Sequence, residues 1–375
     1  MKRLKIYHLC FVVICGLFLA FAFTWHPYVS QATQTTAPEL MVQMSEAYLP
    51  NSDLSDDYRC FLIDLGLEED TFVTSFEILP EQQELVHHVI LFMATPSNVP
   101  QAQALDRSED GLGWTCFGDA GISGAGGSLA GALGTWVPGV SVSEFPAGTG
   151  KLVQAGTQVV MQIHYNLFGA ANIQSDQSSV RLALGTPEQE LAPIQGMTLI
   201  APVEIRCPGP YPTDTSDLCH RQFATLQVQD SGGTANGLHR ICGTSPNLYI
   251  ERDIGFGDAQ ETQCDILVRQ DGLALGASNH MHLRGKSLKI ELNPDTPDAR
   301  TLLTNQNWNF NQQEGIWFET PVQLSRGDIL RLTCVFDNSS SIPGPDGNPI
   351  EPRYLIWGEG TTDEMCLGGI NWIRQ

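Results

Sequence analysis

The chain has 375 residues, of which 42% are hydrophobic, and a formal net charge of −22 at pH 7. This acidic balance argues against nucleic acid or an anionic membrane surface as a partner, because both carry negative charge themselves. The length suffices for two domains of ordinary size. Short alternating or β-branched runs, bounded by Gly, Pro, Asn and Asp, predict an all-β sandwich architecture.

The amino-terminal segment 1–32 has the pattern of a secretory signal peptide. Three basic residues precede an apolar run at 9–23, and a small-x-small cleavage site ends at Ala32. The alternative is an uncleaved membrane anchor, because the run is near the lower limit for spanning a bilayer. Cleavage would remove three basic residues and no acidic ones, which changes the net charge from −22 to −25. We therefore predict an exported protein, secreted or periplasmic, or one anchored on the extracytoplasmic side of a membrane.

Ten cysteines are present, and two of them, Cys10 and Cys15, lie in the signal segment. The other eight are at positions 60, 116, 207, 219, 242, 264, 334 and 366. An even number of cysteines in an exported chain predicts four disulfides. The sequence contains no Cys-x-x-Cys pair, so a zinc ribbon or a redox motif is not supported. Disulfide formation leaves imidazole and thioether groups as the soft ligands available to a metal such as copper.

We predict a first domain over residues 37–196. Its strands include one that carries His87 and His88 and another, near 158–165, that ends with His164. Neighbouring side chains of a regular strand point to opposite faces, so His87 and His88 can reach one ion only across a twist or a bulge. The glycine-rich passage 111–139 is predicted to be a long surface loop, and turn-forming residues before 196 mark the domain boundary.

We predict a second domain over residues 197–375. It opens with a turn-rich stretch that contains His220 and His239, both weak candidates for metal ligands. Further along, His280 and His282 precede the alternating run 287–292. Side chains two residues apart on a strand share a face at roughly 7 Å, so two imidazoles at this spacing can bind one ion.

The distribution of the histidines favours metal binding. Of the nine histidines, five lie in apolar, strand-like contexts: His87, His88, His164, His280 and His282. A histidine is usually exposed or only partly buried, so this concentration in apolar runs needs a physical reason. Each could alone be a core histidine that donates to a backbone carbonyl, but five together favour ligands.

Six short motifs occur in order between residues 58 and 371. They are His-His at 87–88, Gln-Ile-His-Tyr at 162–165, His-Met-His-Leu-Arg-Gly at 280–285, Asn-Phe-Asn at 309–311, Gly-Asp-x-Leu-x-x-x-Cys at 327–334 and Asp-Glu-Met-Cys at 363–366. Together they resemble the copper type II, ascorbate-dependent monooxygenases. The resemblance implies two tandem, jelly-roll-like β-sandwich domains that face each other across a solvent-filled, copper-containing cleft.

The resemblance also implies two copper ions per chain, with ascorbate or an equivalent as reductant, and it assigns the ligands by position. The electron-transfer copper would be held by His87, His88 and His164. The dioxygen-activating copper would be held by His280, His282 and Met365. Three imidazoles suit a copper that cycles between two oxidation states, and a thioether favours Cu(I). The resemblance places two further residues between the first copper and the cleft, namely Tyr58 and Gln162.

The resemblance pairs Cys60 with Cys116 and Cys334 with Cys366. The remaining four cysteines can pair in three ways. Among these we favour Cys207 with Cys264 and Cys219 with Cys242.

Three positions depart from the peptide-amidating members of the family. Those members hold the substrate carboxylate through an arginine, an asparagine and a tyrosine, where this chain has Ser278, Leu367 and Gly369. A carboxylate would find no charge-assisted partner there, which argues against peptidylglycine as substrate. The expected function is a copper-dependent monooxygenase that hydroxylates an activated C–H bond of a small organic substrate with O₂. The alternatives are an exported, non-catalytic copper-binding protein and a structural or adhesive β-sandwich with its histidines satisfied in the core.

Overall fold

Antiparallel β-strands dominate the computed structural model, which describes residues 37–123, 129–186, 189–208, 217–228, 231–246, 260–313, 315–344 and 347–375. The all-β prediction is therefore confirmed. The predicted signal segment 1–32, with Cys10 and Cys15, lies outside the described residues, as does part of the glycine-rich loop. Among the described helices, none is long and apolar enough to cross a membrane.

The strands of the amino-terminal half form two sheets. These strands are β1 Glu39–Gln43, β2 Asp56–Asp64, β3 Thr71–Leu79, β4 Val86–Ala94, β5 Trp114–Thr115, β6 Gly134–Trp136, β7 Val142–Glu144, β8 Thr149–Val153, β9 Gln158–Asn166, β10 Ser179–Leu184 and β11 Ala192–Pro193. One sheet has the order β1-β10-β3-β8-β11 with β7 beside β3, and the other has the order β5-β2-β9-β4-β6. A short helix, α1, spans Val99–Asp106.

The two sheets pack face to face around one hydrophobic core. Val73 and Val180 from the first sheet are buried in the same cluster as Val89, Met161 and Ile163 from the second. Such interdigitation of the inner faces defines a β-sandwich. The outer face of the second sheet is also buried, because α1 and the loop around β5 cover it. This double burial explains why β4 and β9 read as nearly continuous apolar runs in the sequence.

The carboxyl-terminal half repeats the arrangement with its own core. Its strands are β12 Gln195–Ile200, β13 Glu204–Ile205, β14 Gln260–Leu267, β15 Gly272–His280, β16 Gly285–Leu292, β17 Arg300–Asn305, β18 Ile316–Leu324, β19 Ile329–Phe336, β20 Ile342–Pro343, β21 Pro349–Ile350, β22 Leu355–Ile356 and β23 Leu367–Arg374. The sheets β12-β23-β15-β18 and β14-β19-β16-β17 share a core that contains Met281, Leu332 and Ile370. Helices α2 Arg221–Gln227 and α3 Gly233–Ile241 lie in the turn-rich stretch before β14.

The predicted boundary between residues 196 and 197 falls inside β12, which begins at Gln195. By their contacts, residues 37–375 form a single compact unit. The division of the chain into two domains therefore stays a prediction, although each half has its own pair of sheets.

Four disulfides join the eight described cysteines. Cys60 pairs with Cys116 and Cys334 with Cys366, as the resemblance implied. The other expected pairs, Cys207–Cys264 and Cys219–Cys242, are wrong. The bridges are Cys207–Cys219 and Cys242–Cys264, with Cα–Cα distances of 5.6 and 5.2 Å.

The physical reason for the error is local. Cys219 ends a 3₁₀ turn before α2, and Cys242 caps α3. Each bridge therefore closes a short loop at one end of the helical stretch, where the nested pairing would have closed longer loops. Four bridges indicate folding in an oxidising, extracytoplasmic environment.

Candidate metal centre

Three histidines from two neighbouring strands bring their ring nitrogens together. His88 and His164 lie opposite each other on β4 and β9, and the pairing of these strands shifts register between Val86 and His88. This irregularity is the bulge that the adjacent histidines require, and it turns His87 towards the same side as its neighbour. The Nδ1 atom of His87 is 3.3 Å from Nδ1 of His88 and 3.2 Å from Nδ1 of His164.

The spacing of these three nitrogens fits one metal ion. An imidazole nitrogen binds a transition-metal ion at about 2 Å, so nitrogens in tetrahedral or trigonal positions lie about 3.3 to 3.6 Å apart. Burial, followed by the charge of neighbouring histidines, lowers the pKa of both His87 and His88 well below the usual value. Both rings are therefore neutral and keep a lone pair for a ligand. The buried Nε2 of His87 has no hydrogen-bond partner among the described residues.

A carboxylate fixes the tautomer of His164. Nε2 of His164 donates to Oδ1 of Asp56 at 2.8 Å, which leaves Nδ1 free to bind a metal. Burial alone would raise the pKa of Asp56, but hydrogen bonds from His164 and Thr361 bring that pKa below its usual value. The carboxylate therefore stays ionised and orients the ring.

The two predicted neighbours of this group take different places. The ring of Tyr58 stacks on His164 with centroids 3.9 Å apart, and its hydroxyl donates to the carbonyl of Glu359 at 2.6 Å. Gln162 is fully buried on the same face of β9 as His164. Its amide nitrogen donates to the carbonyl of Asp119 at 3.2 Å. Tyr58 thus contacts a histidine of the group directly, whereas Gln162 supports the loop beside it.

His280 and His282 lie where the chain passes from one carboxyl-terminal sheet to the other. His280 ends β15, and the alternating run that follows forms β16 in the opposite sheet, so the pair flanks a turn rather than opening that strand. The turn ends at Gly285. A glycine is needed at this position because a Cβ would come within 2.7 Å of Trp308 and 2.8 Å of Met281. The rings of His280 and His282 are perpendicular, with centroids 5.1 Å apart.

Hydrogen bonds fix the tautomers of this pair as well. The Nδ1 of His280 lies 2.6 Å from the carbonyl oxygen of the Gln313 side chain, and the Nδ1 of His282 lies 3.2 Å from the carbonyl of Asp363. Both partners are acceptors, so each Nδ1 carries the proton and each Nε2 keeps a lone pair. Burial lowers the pKa of His280 to about 4 and that of His282 to about 3.

Met365 is brought beside this pair by its backbone. Leu367, two residues later, pairs with His280 across β23 and β15. The preceding residue, Glu364, accepts the backbone N–H of His282 at 3.1 Å. Met365 itself is buried in the carboxyl-terminal core, next to the Cys334–Cys366 bridge.

The two histidine groups approach each other closely. The ring centroids of His88 and His280 are 6.5 Å apart. Phe310 lies between the groups, stacked on His87 at 4.3 Å and with its centroid 6.1 Å from that of His282. The solvent-filled cleft that the resemblance implied is therefore not confirmed.

Several residues around these groups were not singled out from the sequence. Asp56 precedes Tyr58 by two positions on β2, so strand alternation alone could have placed both on the face of the sheet that carries His164. Phe310 and Asp363 belong to the motifs at 309–311 and 363–366, but the sequence assigned neither of them a role. Gln313 carried no sequence signal, because its contact with His280 depends on a turn.

The two weaker histidine candidates do not join these groups. His220 is exposed immediately before α2. His239 is buried, with Nε2 3.0 Å from a carboxylate oxygen of Glu204 and Nδ1 2.9 Å from the hydroxyl of Thr244. Both ring nitrogens of His239 thus have hydrogen-bond partners: Glu204 ties α3 to β13, and Thr244 lies just after the end of α3.

Comparison with known proteins gives one informative match. Residues 257–373 match the family model described as the copper type II ascorbate-dependent monooxygenase, C-terminal domain. No curated protein matches the chain. Similar solved structures include a fucolectin from striped bass (Morone saxatilis) serum, with 9% identity, 91% of this chain and 97% of that chain covered, and a TM-score of 0.16. Allantoicase has 11% identity, 84% and 83% coverage and a TM-score of 0.19. Such low scores carry no argument about fold or function.

Proposed function

We propose, from the match of residues 257–373 to the family model of the copper type II ascorbate-dependent monooxygenase C-terminal domain, that this chain is a copper-dependent monooxygenase. It would hydroxylate an activated C–H bond of a small organic substrate with O₂ and an ascorbate-like reductant. The observation that carries the proposal is the convergence of three Nδ1 atoms, from His87, His88 and His164, at distances that suit a metal ion.

In this proposal the two histidine groups hold one copper ion each. His87, His88 and His164 would hold the ion that supplies electron transfer. His280, His282 and Met365 would hold the ion that supplies dioxygen chemistry. When bound, copper supplies one-electron redox chemistry and the reduction of O₂ that permits attack on a C–H bond.

The protein's own part is to hold the ligands and their protons. Asp56 keeps the proton of His164 on Nε2, Gln313 keeps that of His280 on Nδ1, and the carbonyl of Asp363 does the same for His282. The rings cannot rotate without breaking these bonds, so their lone pairs stay directed at fixed points. His87, His164 and His282 are buried and His88 and His280 are partly buried, which limits the access of water to the reacting groups.

A neutral substrate fits the strand face beside His280. Ser278 lies two residues before His280, on the same face of β15, and pairs with Gly369 of β23. A Cβ at Gly369 would come within 2.6 Å of the Ser278 hydroxyl oxygen, so the glycine leaves that hydroxyl uncovered. With Leu367 as neighbour, this surface offers a hydroxyl and apolar contacts. We therefore propose small, uncharged organic molecules rather than peptidylglycine.

One observation favours a second candidate, an exported protein that binds copper without catalysis. The approach of His88 to His280 and the stacking of Phe310 on His87 leave little room between the groups for a substrate. In either case we propose a secreted or periplasmic location, or an amino-terminal membrane anchor. The acidic charge supports small-molecule partners and not nucleic acid.

Copper analysis and oxygen uptake test the proposal together. The purified chain, loaded with copper and freed of excess metal, is expected to retain two ions and to consume O₂ with ascorbate in the presence of an uncharged aromatic from a panel that also contains amines and peptides. His164→Ala is expected to lower the copper content towards one, whereas His220→Ala, at an exposed histidine, should leave it unchanged. Two ions without substrate-dependent uptake would favour the binding protein, and no bound copper would exclude both candidates.

A further inference from the structure

We propose that Asp56 is a positioning residue that links the first histidine group to the segment leading to Met365. One oxygen of its carboxylate, Oδ1, accepts hydrogen bonds from Nε2 of His164 at 2.8 Å and from the hydroxyl of Thr361 at 2.6 Å. His164 belongs to the amino-terminal half of the chain, like Asp56, whereas Thr361 belongs to the carboxyl-terminal half, 305 residues after Asp56. The inference rests on the proposed function only in assigning metal to both histidine groups.

Tyr58, on the same strand as Asp56, makes a second connection between His164 and the carboxyl-terminal half. Tyr58 lies two residues after Asp56, so both side chains share one face of β2. Its ring stacks on His164, and its hydroxyl donates to the carbonyl of Glu359, two residues before Thr361. One face of β2 therefore contacts both His164 and the segment 359–361.

The segment 359–361 is also connected to the second histidine group, through Asp363, two residues after Thr361. The backbone N–H of Gly360 donates to the side chain of Asp363 at 3.1 Å, which closes a turn around Thr361. The carbonyl of Asp363 then accepts the hydrogen bond from Nδ1 of His282. Three side-chain hydrogen bonds and one tight turn thus connect His164 to His282.

Burial gives this connection its strength. Thr361 is 1% exposed and His282 is 3% exposed, so neither can exchange its partner for bulk water. A buried polar group that loses its hydrogen bond is costly, more so when the partner is charged. A displacement of Thr361 would therefore also move the carbonyl that orients His282 and the backbone that carries Met365.

Hydrogen exchange in the metal-free chain tests the link without copper. Thr361→Val removes the hydroxyl but keeps the shape, and Thr361→Ser restores the hydroxyl. We expect amide exchange in residues 357–366 to become about tenfold faster in Thr361→Val, and to return to the wild-type rate in Thr361→Ser. Ser339→Ala is the matched control, because it removes another 2.6 Å hydroxyl–carboxylate bond, to Asp337, outside this segment.

The outcomes separate positioning from general packing. Unchanged exchange in Thr361→Val would overturn the proposal, and so would faster exchange throughout the chain, since that would indicate a merely structural role. In the copper-loaded chain, Thr361→Val should keep its copper content but alter the Cu(II) hyperfine splitting of the ion at His164, because Oδ1 of Asp56 then loses the 2.6 Å bond from the Thr361 hydroxyl and keeps, besides His164, only the 3.4 Å contact from the Thr361 backbone N–H. An unaltered spectrum with bound copper also counts against the proposal. If the wild-type chain binds no copper, the proposed function fails while the exchange experiment still decides the role of Asp56.

Discussion

At the scale of single residues, the hydrogen-bond partners of His164, His280 and His282 determine which ring nitrogen of each is free. Gln313 accepts from Nδ1 of His280 and also donates to the carbonyl of Phe310, so a single side chain ties a ring to its neighbouring turn. The five histidines could be singled out from the sequence, because histidine is rare in apolar strands. Their partners were not, because Gln313 reaches His280 across 33 residues through a turn.

Gln313→Ala is expected to weaken copper binding at the second site. Without the acceptor, the buried Nδ1 of His280 loses its partner and the ring loses its fixed orientation, so the affinity should fall about 10- to 100-fold. Copper titration against a competing chelator measures the change. Gln312→Ala, at the exposed glutamine next to it, is the control and should bind copper as the wild type does. Equal affinities in both variants would contradict the role of Gln313.

Met365→Ile is a second test at this scale. The two side chains have similar volumes, so the substitution in this buried position should cost less than about 1.5 kcal/mol of unfolding free energy. If Met365 is a ligand, the variant should keep the copper at His87, His88 and His164 but lose ascorbate-dependent oxygen uptake. Denaturant unfolding and copper analysis check the first two points. Full turnover in this variant would remove Met365 from the proposed ligand set.

At the scale of elements, the pattern of apolar residues along the chain predicts several of the strands that the structure contains. The apolar runs of β4 and β9 and the alternating run of β16 were recognisable from their patterns. The bulge at His87 could be inferred only from the requirement that two adjacent histidines share an ion. The cysteine spacing could not specify the pairing in the helical stretch, because every arrangement of four cysteines is compatible with the sequence alone.

Strand β8 contains an exception to alternation that yields a prediction about pH. Lys151 shares the inner face of β8 with Thr149 and Val153, and burial lowers its pKa from 10.5 to about 8. The folded chain thus releases this proton at a lower pH than the unfolded chain does. Below about pH 8 the buried charge costs stability, and the cost disappears as the pH rises from 8 towards 10.5.

Lys151→Met is therefore expected to stabilise the fold at pH 7, by on the order of 3 kcal/mol, since each unit of pKa shift corresponds to about 1.4 kcal/mol. The gain should shrink at pH 9.5, where the wild-type amine is already neutral in the folded state. Urea unfolding at the two pH values measures both differences. Lys289→Met, at a partly exposed ion pair with Glu291, serves as control and should change stability little at either pH. A gain that does not depend on pH would show that the charge of Lys151 is not its cause.

At the scale of the whole molecule, the sequence predicted an all-β chain but not how its halves meet. Each half has alternating strands and its own core, which local patterns can indicate. The contacts between halves depend on single side chains, such as Asp56 with Thr361 and Phe310 with His87, which no periodicity encodes. The expected open cleft came from the resemblance, whereas the short distance between His88 and His280 came from the structure.

None of the four disulfides crosses between the halves, because one lies before residue 187 and the other three lie after residue 200. The halves are therefore joined by the chain and by non-covalent contacts, including those from β2 to the segment 359–361. A protease site inserted between Glu190 and Leu191, in the connection before β11, would cut the chain and leave β11, which pairs with β8, on the carboxyl-terminal fragment. We expect the cut protein to elute as one species under native conditions, since the buried contacts persist.

In denaturant without a reducing agent, the same cut protein should separate into two fragments. Gel filtration before and after denaturation, with an uncut sample as control, measures both states. Fragments that stay linked in denaturant would mean that a disulfide joins the halves, contrary to the observed pairing. Fragments that separate under native conditions would mean that the contacts of Asp56, Tyr58 and Phe310 do not hold the halves together. No observed contact would then explain the short distance between the two histidine groups.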